Sequence, residues 1–520
     1  MKINRLCSVV AAMVILGTTW SCQNHRDLDS LNPKTEEKSS LTESYTEGMV
    51  ELGKKLENPY SVENMKKAWE KLKASDRNGL TSREEIKITT THVYLKLKPK
   101  NEEELERLKM DSTLILYQYP LDYEIVKGGI YYRDRSIPAG TPNHQYVSIP
   151  VNKKIPDGIE YELLANLFIP DEHRGKDALT GKGETNELVE SLVDESLRIT
   201  GNLDKIASPN GRVQASSWRP AGRIRVWDNS ISPNNWRPVE GVEVKARRWF
   251  TTHKGITNSQ GFYSCDGTFK GDANYSLDWE RYQFALREGW LNGADINGPK
   301  KRGNWDLDFN SGKSMFHARV FMAAYHYYYK DIKGLRRPPT NGTFKTKMRL
   351  RCYNENNSEI NGSHAPGRRF LGLGSAIHIY NPNRPIVDIY GTTIHELAHA
   401  SHWDMGSSDY NNASDKVSES WARGVQWELT RMIWNNYFGG STNRPNYTQV
   451  VVDMIDPNYS NSVNNQNNGL WNDNVTGYSI RQIEDALNGQ RTWDGWRNNI
   501  KNRYNNATEN NLDALFAHWN

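Results

Sequence analysis

The first 210 residues alternate between helical and strand-like spacing of apolar positions. Residues three or four apart share one face of a helix, whereas every second residue shares one face of a strand. Helices are predicted to begin at Ser61 and to cover 101–108 and 186–198, and strands are predicted over 86–97 and 114–125. This order predicts a small α+β module over 47–212.

Residues 213–288 have the short alternating runs that are typical of a β-sandwich. Apolar residues alternate over 222–227 and 239–244, and Asn258 and Gly261 then allow a tight turn. These runs and the turn resemble the carboxypeptidase regulatory-like β-sandwich. The resemblance implies a spacer or docking module without chemistry of its own.

Residues 289–520 begin with strong helical spacing over 316–333, which Gly334 and Pro338 end. Further strands are predicted over 344–353 and 375–380, and further helices over 425–436, 479–487 and 493–504. The chain is therefore predicted to be a multidomain α+β protein whose last domain ends in a helical lobe.

The amino terminus has the organisation of a targeting segment. Lys2 and Arg5 precede an apolar run over 6–17, and small or polar residues then lead to Cys22. The sequence before Cys22 resembles a bacterial lipobox, which implies a signal peptide over 1–22 and a lipid on Cys22. The polar stretch 23–46 is predicted to be a flexible tether. We therefore expect an outer membrane lipoprotein, located at the cell surface or in the periplasm.

Composition excludes several classes of protein. Apolar residues make up 37% of the 520 residues, so the chain can form cores. The formal charge is only +4, from 66 basic and 62 acidic residues, and this balance does not favour nucleic acid as a partner. Beyond the targeting segment the cysteines are Cys265 and Cys352, which cannot form a cysteine zinc cluster.

The strongest chemical signal is the H-E-x-x-H pattern of His395-Glu396-Leu397-Ala398-His399. Histidines four residues apart lie on one face of a helix and can bind one zinc ion. Glu396 can take a proton from a water molecule at the metal, which makes it the candidate general base. The surrounding apolar residues predict a buried helix, and burying charged side chains there costs stability unless they are paired or bind a metal.

Catalytic zinc takes three protein ligands and leaves one position for water. A metzincin is excluded, because that class has Gly at the position of His402 and His at the position of Met405. Glu419, twenty residues after His399, is the expected third ligand, and this spacing resembles that of the gluzincins, the thermolysin-like zinc peptidases. Asp409 is the alternative ligand, in a pattern that loosely resembles the aspzincins.

The gluzincin resemblance covers roughly 315–425 and implies a zincin-like catalytic domain within 289–520. By this likeness, 375–380 is the edge strand that pairs with an extended peptide substrate. His378 in this strand faces either the cleft or solvent.

The resemblance also assigns roles around the expected zinc ion. Tyr410, eleven residues after His399, has the offset at which thermolysin-like enzymes place a transition-state tyrosine, and Tyr478 is an alternative. Arg423 stands where these enzymes have an acid that orients a zinc histidine. Asp388 is a candidate for that missing orienting role.

The leading hypothesis is a secreted, lipid-anchored zinc metallopeptidase that hydrolyses extracellular proteins or peptides. The alternative is a surface lipoprotein that binds glycan or protein through an inactive zincin fold, motivated by the sandwich, the anchor and the 17 Trp and 26 Tyr residues. The module over 47–212 is hypothesised to be an inhibitory or folding-assisting prosegment. The sequence gives no indication of the oligomeric state.

Overall fold

The structure is a computed structural model, which describes residues 48–75, 86–170, 185–203, 217–230, 235–288, 292–341, 347–365, 377–437, 445–456 and 473–520. The predicted signal peptide, its Cys22 and the tether over 23–46 lie outside the described residues. None of the helices in the described part of the chain combines the length and apolar character that crossing a bilayer requires.

The N-terminal part combines helices with two antiparallel sheets. Its elements are β1 (Glu51–Lys55), α1 (Val62–Ser75), β2 (His92–Lys98), α2 (Glu102–Met110), β3 (Tyr123–Lys127), β4 (Gln145–Pro150), β5 (Glu160–Leu167) and α3 (Thr185–Ile199). β2 is the centre of the sheet β4-β2-β5, and β1 pairs with β3. α1 and α3 pack together over a core that includes Trp69, Tyr94 and Leu192.

The strand that the sequence predicts over 114–125 is wrong for most of its length, because β3 begins only at Tyr123. Leu114, Tyr117 and Tyr119 are buried although they lie in a loop. Their side chains fill gaps between packed elements, so the apolar alternation reflects burial without a strand ladder.

Two four-stranded sheets form the middle of the chain. Their strands are β6 (Ala221–Asp228), β7 (Asn235–Pro238), β8 (Glu243–Arg248), β9 (Thr251–Ile256), β10 (Phe262–Ser264), β11 (Ala273–Asp278), β14 (Asp295–Lys301) and β15 (Leu307–Phe309). One sheet has the order β10-β6-β15 with β7 also paired to β6, and the other has the order β14-β11-β8-β9. Gly261 has a φ of +79° in the turn before β10, a conformation that glycine adopts without strain.

A third sheet of five strands belongs to the C-terminal part. Its strands are β12 (Phe284–Glu288), β13 (Asn292–Gly293), β16 (Met348–Cys352), β17 (Gly362–His364) and β18 (Ile377–Ile379), in the order β13-β12-β16-β18-β17. β12 precedes the expected domain boundary at 289 but pairs with β16, whereas β14 and β15 follow it and pair with sandwich strands. Strand pairing therefore crosses this boundary in both directions.

The remaining C-terminal elements are helices. They are α4 (Gly312–Tyr329), α5 (Ile386–Met405), α6 (Ser407–Asn411), α7 (Asp415–Arg431), α8 (Val450–Ile455), α9 (Ile480–Leu487), α10 (Trp493–Arg503) and α11 (Leu512–His518). One apolar core joins these helices to the sandwich, and the buried ring of Trp279 contacts Phe309 of the sandwich and Phe321 of α4. The predicted multidomain α+β class with a helical C-terminal lobe is confirmed.

Candidate metal centre

Helix α5 carries the H-E-x-x-H pattern through the middle of the C-terminal part. The helix begins after Pro385 and packs between α4 and α7. Its residues from Thr393 to His402 are all buried, in agreement with the apolar flanks of the motif. The helical period places His395 and His399 on one face.

Helix α7 brings Glu419 to the two histidines. Glu419 Oε2 lies 3.1 Å from His395 Nε2 and 3.4 Å from His399 Nε2, and the two Nε2 atoms lie 3.1 Å apart. Within the described part of the chain, these three side chains form the one group of histidine, cysteine or acidic residues whose ligand atoms converge. The buried group of His395, His399 and Glu419 can therefore hold a metal ion.

The charges of the three side chains depend on one another. Burial lowers the pKa of His395, and the hydrogen bond with Glu419 opposes this change. Burial acts on His399 in the same direction, but the charge of Glu419, its hydrogen bond to His399 and the charge of Glu396 together outweigh burial and raise the pKa of His399. Burial also disfavours a charged Glu419, yet the attraction of His399 and hydrogen bonds from both histidines hold its pKa well below the ordinary value. The site thus contains a buried carboxylate that requires a cation close to it.

Glu396 lies beside this group and is itself buried. Burial raises the pKa of Glu396 to about 8; His399 opposes this effect and Glu419 adds to it. A carboxyl group whose pKa lies near neutral pH can both accept and release a proton, which suits a general base.

Strand β17 passes directly over Glu396. A Cβ atom at position 362 would lie 2.8 Å from Cγ and 2.9 Å from Oε1 of Glu396, so Gly362 permits a close approach that another residue would block. The backbone N–H of Tyr380 donates to the carbonyl oxygen of Asn361 at 2.9 Å. Asn361 and Tyr380 are thus a hydrogen-bonded pair. Such pairs alternate along an antiparallel ladder with pairs that are not hydrogen-bonded, so the N–H and C=O of the next residue, Gly362, point away from β18.

The expectation that 375–380 forms the edge strand is wrong. β18, which lies within that range, pairs on one side with β16 and on the other with β17, so β17 is the outer strand among the described residues. Residues 375 and 376 lie outside the described part of the chain. His378 does not face solvent: it is buried, and its ring centroid lies 5.4 Å from that of Tyr353.

Two tyrosines lie beside different histidines of the group. Tyr410 on α6 is half-buried, and its ring centroid lies 6.1 Å from that of His399 and 5.0 Å from that of His402. Tyr447 stacks on His395 at 5.9 Å with an interplanar angle of 12°. The sequence interpretation singled out Tyr410 and missed Tyr447, which follows a stretch outside the described residues and belongs to no recognisable motif.

Arg423 is buried one turn after Glu419, where an orienting acid was expected. Burial lowers the pKa of Arg423, while Tyr437 and Tyr447 oppose this change. Arg423 also lowers the pKa of His395, so it acts on the site as a positive charge. A buried arginine beside the histidines therefore takes the position of the expected acid.

The other candidates do not join the group of His395, His399 and Glu419. Asp409 forms an ion pair with Arg491 at 2.8 Å, and Asp388 forms one with Arg384 at 3.1 Å. Tyr478 is buried and its backbone bonds to Met454 among the later helices. Glu419, and not Asp409, completes the group.

Comparison of the chain with protein-family models, with curated proteins and with solved structures finds no match. Any functional conclusion therefore rests on the residues and their arrangement.

Proposed function

We propose that this protein is a zinc-dependent peptidase of the gluzincin type, with His395, His399 and Glu419 as zinc ligands and Glu396 as general base. The observation that carries the proposal is the convergence of three buried ligand atoms beside a buried glutamate. Burying four ionisable side chains together costs stability, and such clusters are found where they bind a cation or perform catalysis.

The donor set fits zinc in type and spacing. Two imidazole nitrogens and one carboxylate oxygen form a common catalytic zinc site. Ligand atoms about 2.1 Å from a tetrahedral zinc ion lie roughly 3.4 Å from one another. The observed separations of 3.1, 3.1 and 3.4 Å are close to this value. A zinc ion bound there supplies Lewis acidity and lowers the pKa of water.

Glu396 performs the proton transfers. Its carboxylate takes a proton from the attacking water while that water adds to the scissile carbonyl, and it then delivers the proton to the leaving amine. Tyr410 stands next to His399 and donates its hydroxyl proton in a hydrogen bond to the oxygen that gains charge.

The substrate is an extended peptide that pairs with β17. The outward N–H and C=O of Gly362 offer backbone hydrogen bonds to such a peptide, directly above Glu396. Backbone pairing gives affinity with little dependence on side chains, so a range of extracellular proteins or peptides is suitable. The lipid on Cys22 and the location in the outer membrane belong to the same proposal and rest on the amino-terminal sequence.

The test combines metal analysis with hydrolysis. Purified protein should contain about one zinc per chain and cleave a mixed peptide library, and a chelator should abolish cleavage. Glu396→Gln should retain zinc and lose at least about a thousandfold in kcat, as expected when a general base is removed. Asp404→Asn on the same helix is the matched control and should keep full activity.

The alternative of a binding lipoprotein with an inactive zincin fold predicts a different result. In that case the wild-type protein would bind its peptide or glycan without cleaving it, and Glu396→Gln would behave like the wild type. Either outcome, or purified protein that takes up no zinc, would overturn the peptidase proposal.

A further inference from the structure

A cavity of about 270 Å³ lies between the N-terminal part and the sandwich. Its walls come from α2 and the loop after it on one side and from β8, β11 and β14 on the other. None of the metal-site residues lines it. A cavity of this volume is near the lower end of the range for small-molecule sites.

Three carboxylates lie in one row across the sheet that forms the cavity wall. Asp278 on β11 is paired in register with Glu243 on β8 and with Asp295 on β14. Residues in register across neighbouring strands project from the same face with Cβ atoms about 5 Å apart, and like charges in this arrangement destabilise a sheet. The row therefore needs cations to offset the repulsion.

Lysines neutralise all but one of the carboxylates that line the cavity. Glu243 pairs with Lys254 at 3.1 Å, and Asp278 pairs with Lys245. Glu280 pairs with Lys109 at 3.0 Å and also with Lys347, and Asp111 pairs with Lys153 at 2.7 Å. Asp295 differs, because no cation lies within 4 Å of its carboxylate in the described part of the chain, and it accepts a hydrogen bond of 2.7 Å from the neutral amide of Gln118.

One cation of the lining is also left over. The side chain of Arg281 has no carboxylate within 4 Å among the residues that the structure describes, and its Nε atom is buried without a hydrogen-bond partner. The guanidinium lies 5.9 Å from the ring centroid of Tyr329. Two lysines share Glu280, whereas among the described lining residues Asp295 has no cation and Arg281 no carboxylate at contact distance.

We propose that this cavity binds a small zwitterion, a free α-amino acid, whose ammonium group pairs with Asp295 and whose carboxylate pairs with Arg281. Such a ligand has no net charge, so it complements the two leftover charges without disturbing the lysine pairs. Arginine is suited to the second contact, since its planar donors match a carboxylate. Tyr117 and Tyr119 in the same lining offer apolar ring surface to the ligand side chain.

The electrostatics of Asp295 agree with this geometry. Burial and the neighbouring charge of Asp278 raise the pKa of Asp295 to about 7, although the charges of Lys109 and Lys245 oppose this change. An ammonium group beside it would stabilise the ionised form.

The test is calorimetric titration of the full-length protein with each of the twenty free L-amino acids at concentrations up to about 10 mM. This range detects binding free energies of about −3 kcal/mol or more favourable. At least one should bind, and its N-acetyl and carboxamide derivatives should each bind about tenfold more weakly or worse, because each lacks one charge. Asp295→Asn should weaken binding of the parent amino acid by a similar factor. Asp111→Asn, which alters a lining carboxylate already paired with lysine, should not.

Three results would overturn the proposal: no binding of any amino acid, equal binding of the N-acetyl or carboxamide derivative, or unchanged binding in Asp295→Asn. The derivatives test the two charges without any change to the protein, so a variant that folds poorly does not obscure the outcome. Because binding and not hydrolysis is measured, the result is independent of the proposed peptidase activity.

Discussion

The backbone of Gly362 lies against the side chain of Glu396, so closely that a Cβ atom at position 362 would come within 2.8 Å of Cγ and 2.9 Å of Oε1. The outer strand of the five-stranded sheet and the proposed general base thus share one contact. A peptide paired with β17 would be held at the level of Glu396, which makes this contact the link between substrate position and proton transfer.

Substitution of Gly362 by alanine tests this link. The added methyl group has no room unless Glu396 or the strand moves, so we expect Gly362→Ala to lower kcat/KM by about a hundredfold with zinc content unchanged. Peptide hydrolysis and metal analysis on the same preparation measure both quantities. Ser363→Ala on the same strand is the control and should stay within about twofold of wild type. Wild-type kinetics in Gly362→Ala would show that the strand does not constrain Glu396.

The identity of the third ligand can be tested with two isosteric changes. Glu419→Gln removes the charge that both histidines contact, and we expect zinc affinity to fall by more than about a hundredfold. This loss is larger than the one that usually follows removal of a residue that only hydrogen-bonds to a metal ligand. Asp409→Asn removes a carboxylate that is paired with Arg491, so it should bind zinc like the wild type. Competition with a chelating dye measures both affinities. Weakened zinc binding in Asp409→Asn alone would reverse the assignment.

The grouping of the two histidines could be predicted from sequence because their geometry is largely local. Four residues of helix fix the relation of His395 to His399. Glu419 lies on a second helix, and its prediction needed a spacing borrowed from a resemblance; the structure then brings its carboxylate to 3.1 Å from His395. Tyr410 follows α5 closely in sequence, so its nearness to His399 was also predictable.

Features that depend on long-range pairing were not predictable in this way. β17 covers only three residues, Gly362–His364, without alternation, and its outer position depends on pairing with β18. A local pattern does not specify which strand becomes the neighbour of another. The same holds for Asp278 and Asp295, which become a row of like charges only when β11 and β14 align. Sequence reasoning therefore predicted the group of His395, His399 and Glu419, but neither the strand above Glu396 nor the cavity beside Asp295.

A buried ion pair ties the N-terminal part to the C-terminal sheet. Glu106 on α2 contacts Arg287 on β12 at 2.6 Å, and both side chains are almost fully buried. Glu106→Gln would leave Arg287 buried without its charge partner, so we expect a loss of about 3 kcal/mol in the free energy of unfolding. Glu103→Gln, an exposed change on the same helix, should have no effect. Equal denaturation midpoints for the two variants would contradict this role.

The same ion pair bears on the prosegment hypothesis. Removal of 47–212 takes away Glu106 and exposes Arg287 together with the strand that carries it. We expect the shortened protein to aggregate or to lose its cooperative unfolding transition, which light scattering and thermal denaturation would detect. A soluble, cooperatively folded product with wild-type activity would exclude a prosegment role.

Acid stability should depend on His326, which is buried on α4 and shares a hydrogen bond with Tyr390 of α5. Burial lowers the pKa of His326 to about 4, below its unfolded value near 6.5. The neutral form is thus favoured by folding, so its contribution is complete above about pH 6.5 and is lost as the pH falls towards 4. The wild type should lose on the order of 2 kcal/mol between pH 7 and pH 5 from this group.

Denaturant titrations at several pH values measure that contribution. In His326→Gln, the free energy of unfolding should change less between pH 7 and pH 5 than in the wild type, whatever the absolute stability of the variant. Tyr390→Phe keeps the ring that buries His326 and should retain the dependence, because burial is the main cause of the lowered pKa. A pH profile in His326→Gln that parallels the wild type would assign the acid sensitivity to other groups.

The hydroxyl of Tyr410 should act on the transition state and not on the metal. Its ring centroid lies 6.1 Å from that of His399, so Tyr410→Phe keeps the ring contact and removes only the hydrogen-bond donor. We expect kcat to fall by about a hundredfold, with KM and zinc affinity close to wild type. Tyr447→Phe is the matched change beside His395, on which the ring of Tyr447 stacks, and it should leave kcat nearly unchanged. If Tyr447→Phe instead carries the larger loss in kcat, then the oxyanion is stabilised from the side of His395, and the spacing that singled out Tyr410 does not hold in this chain.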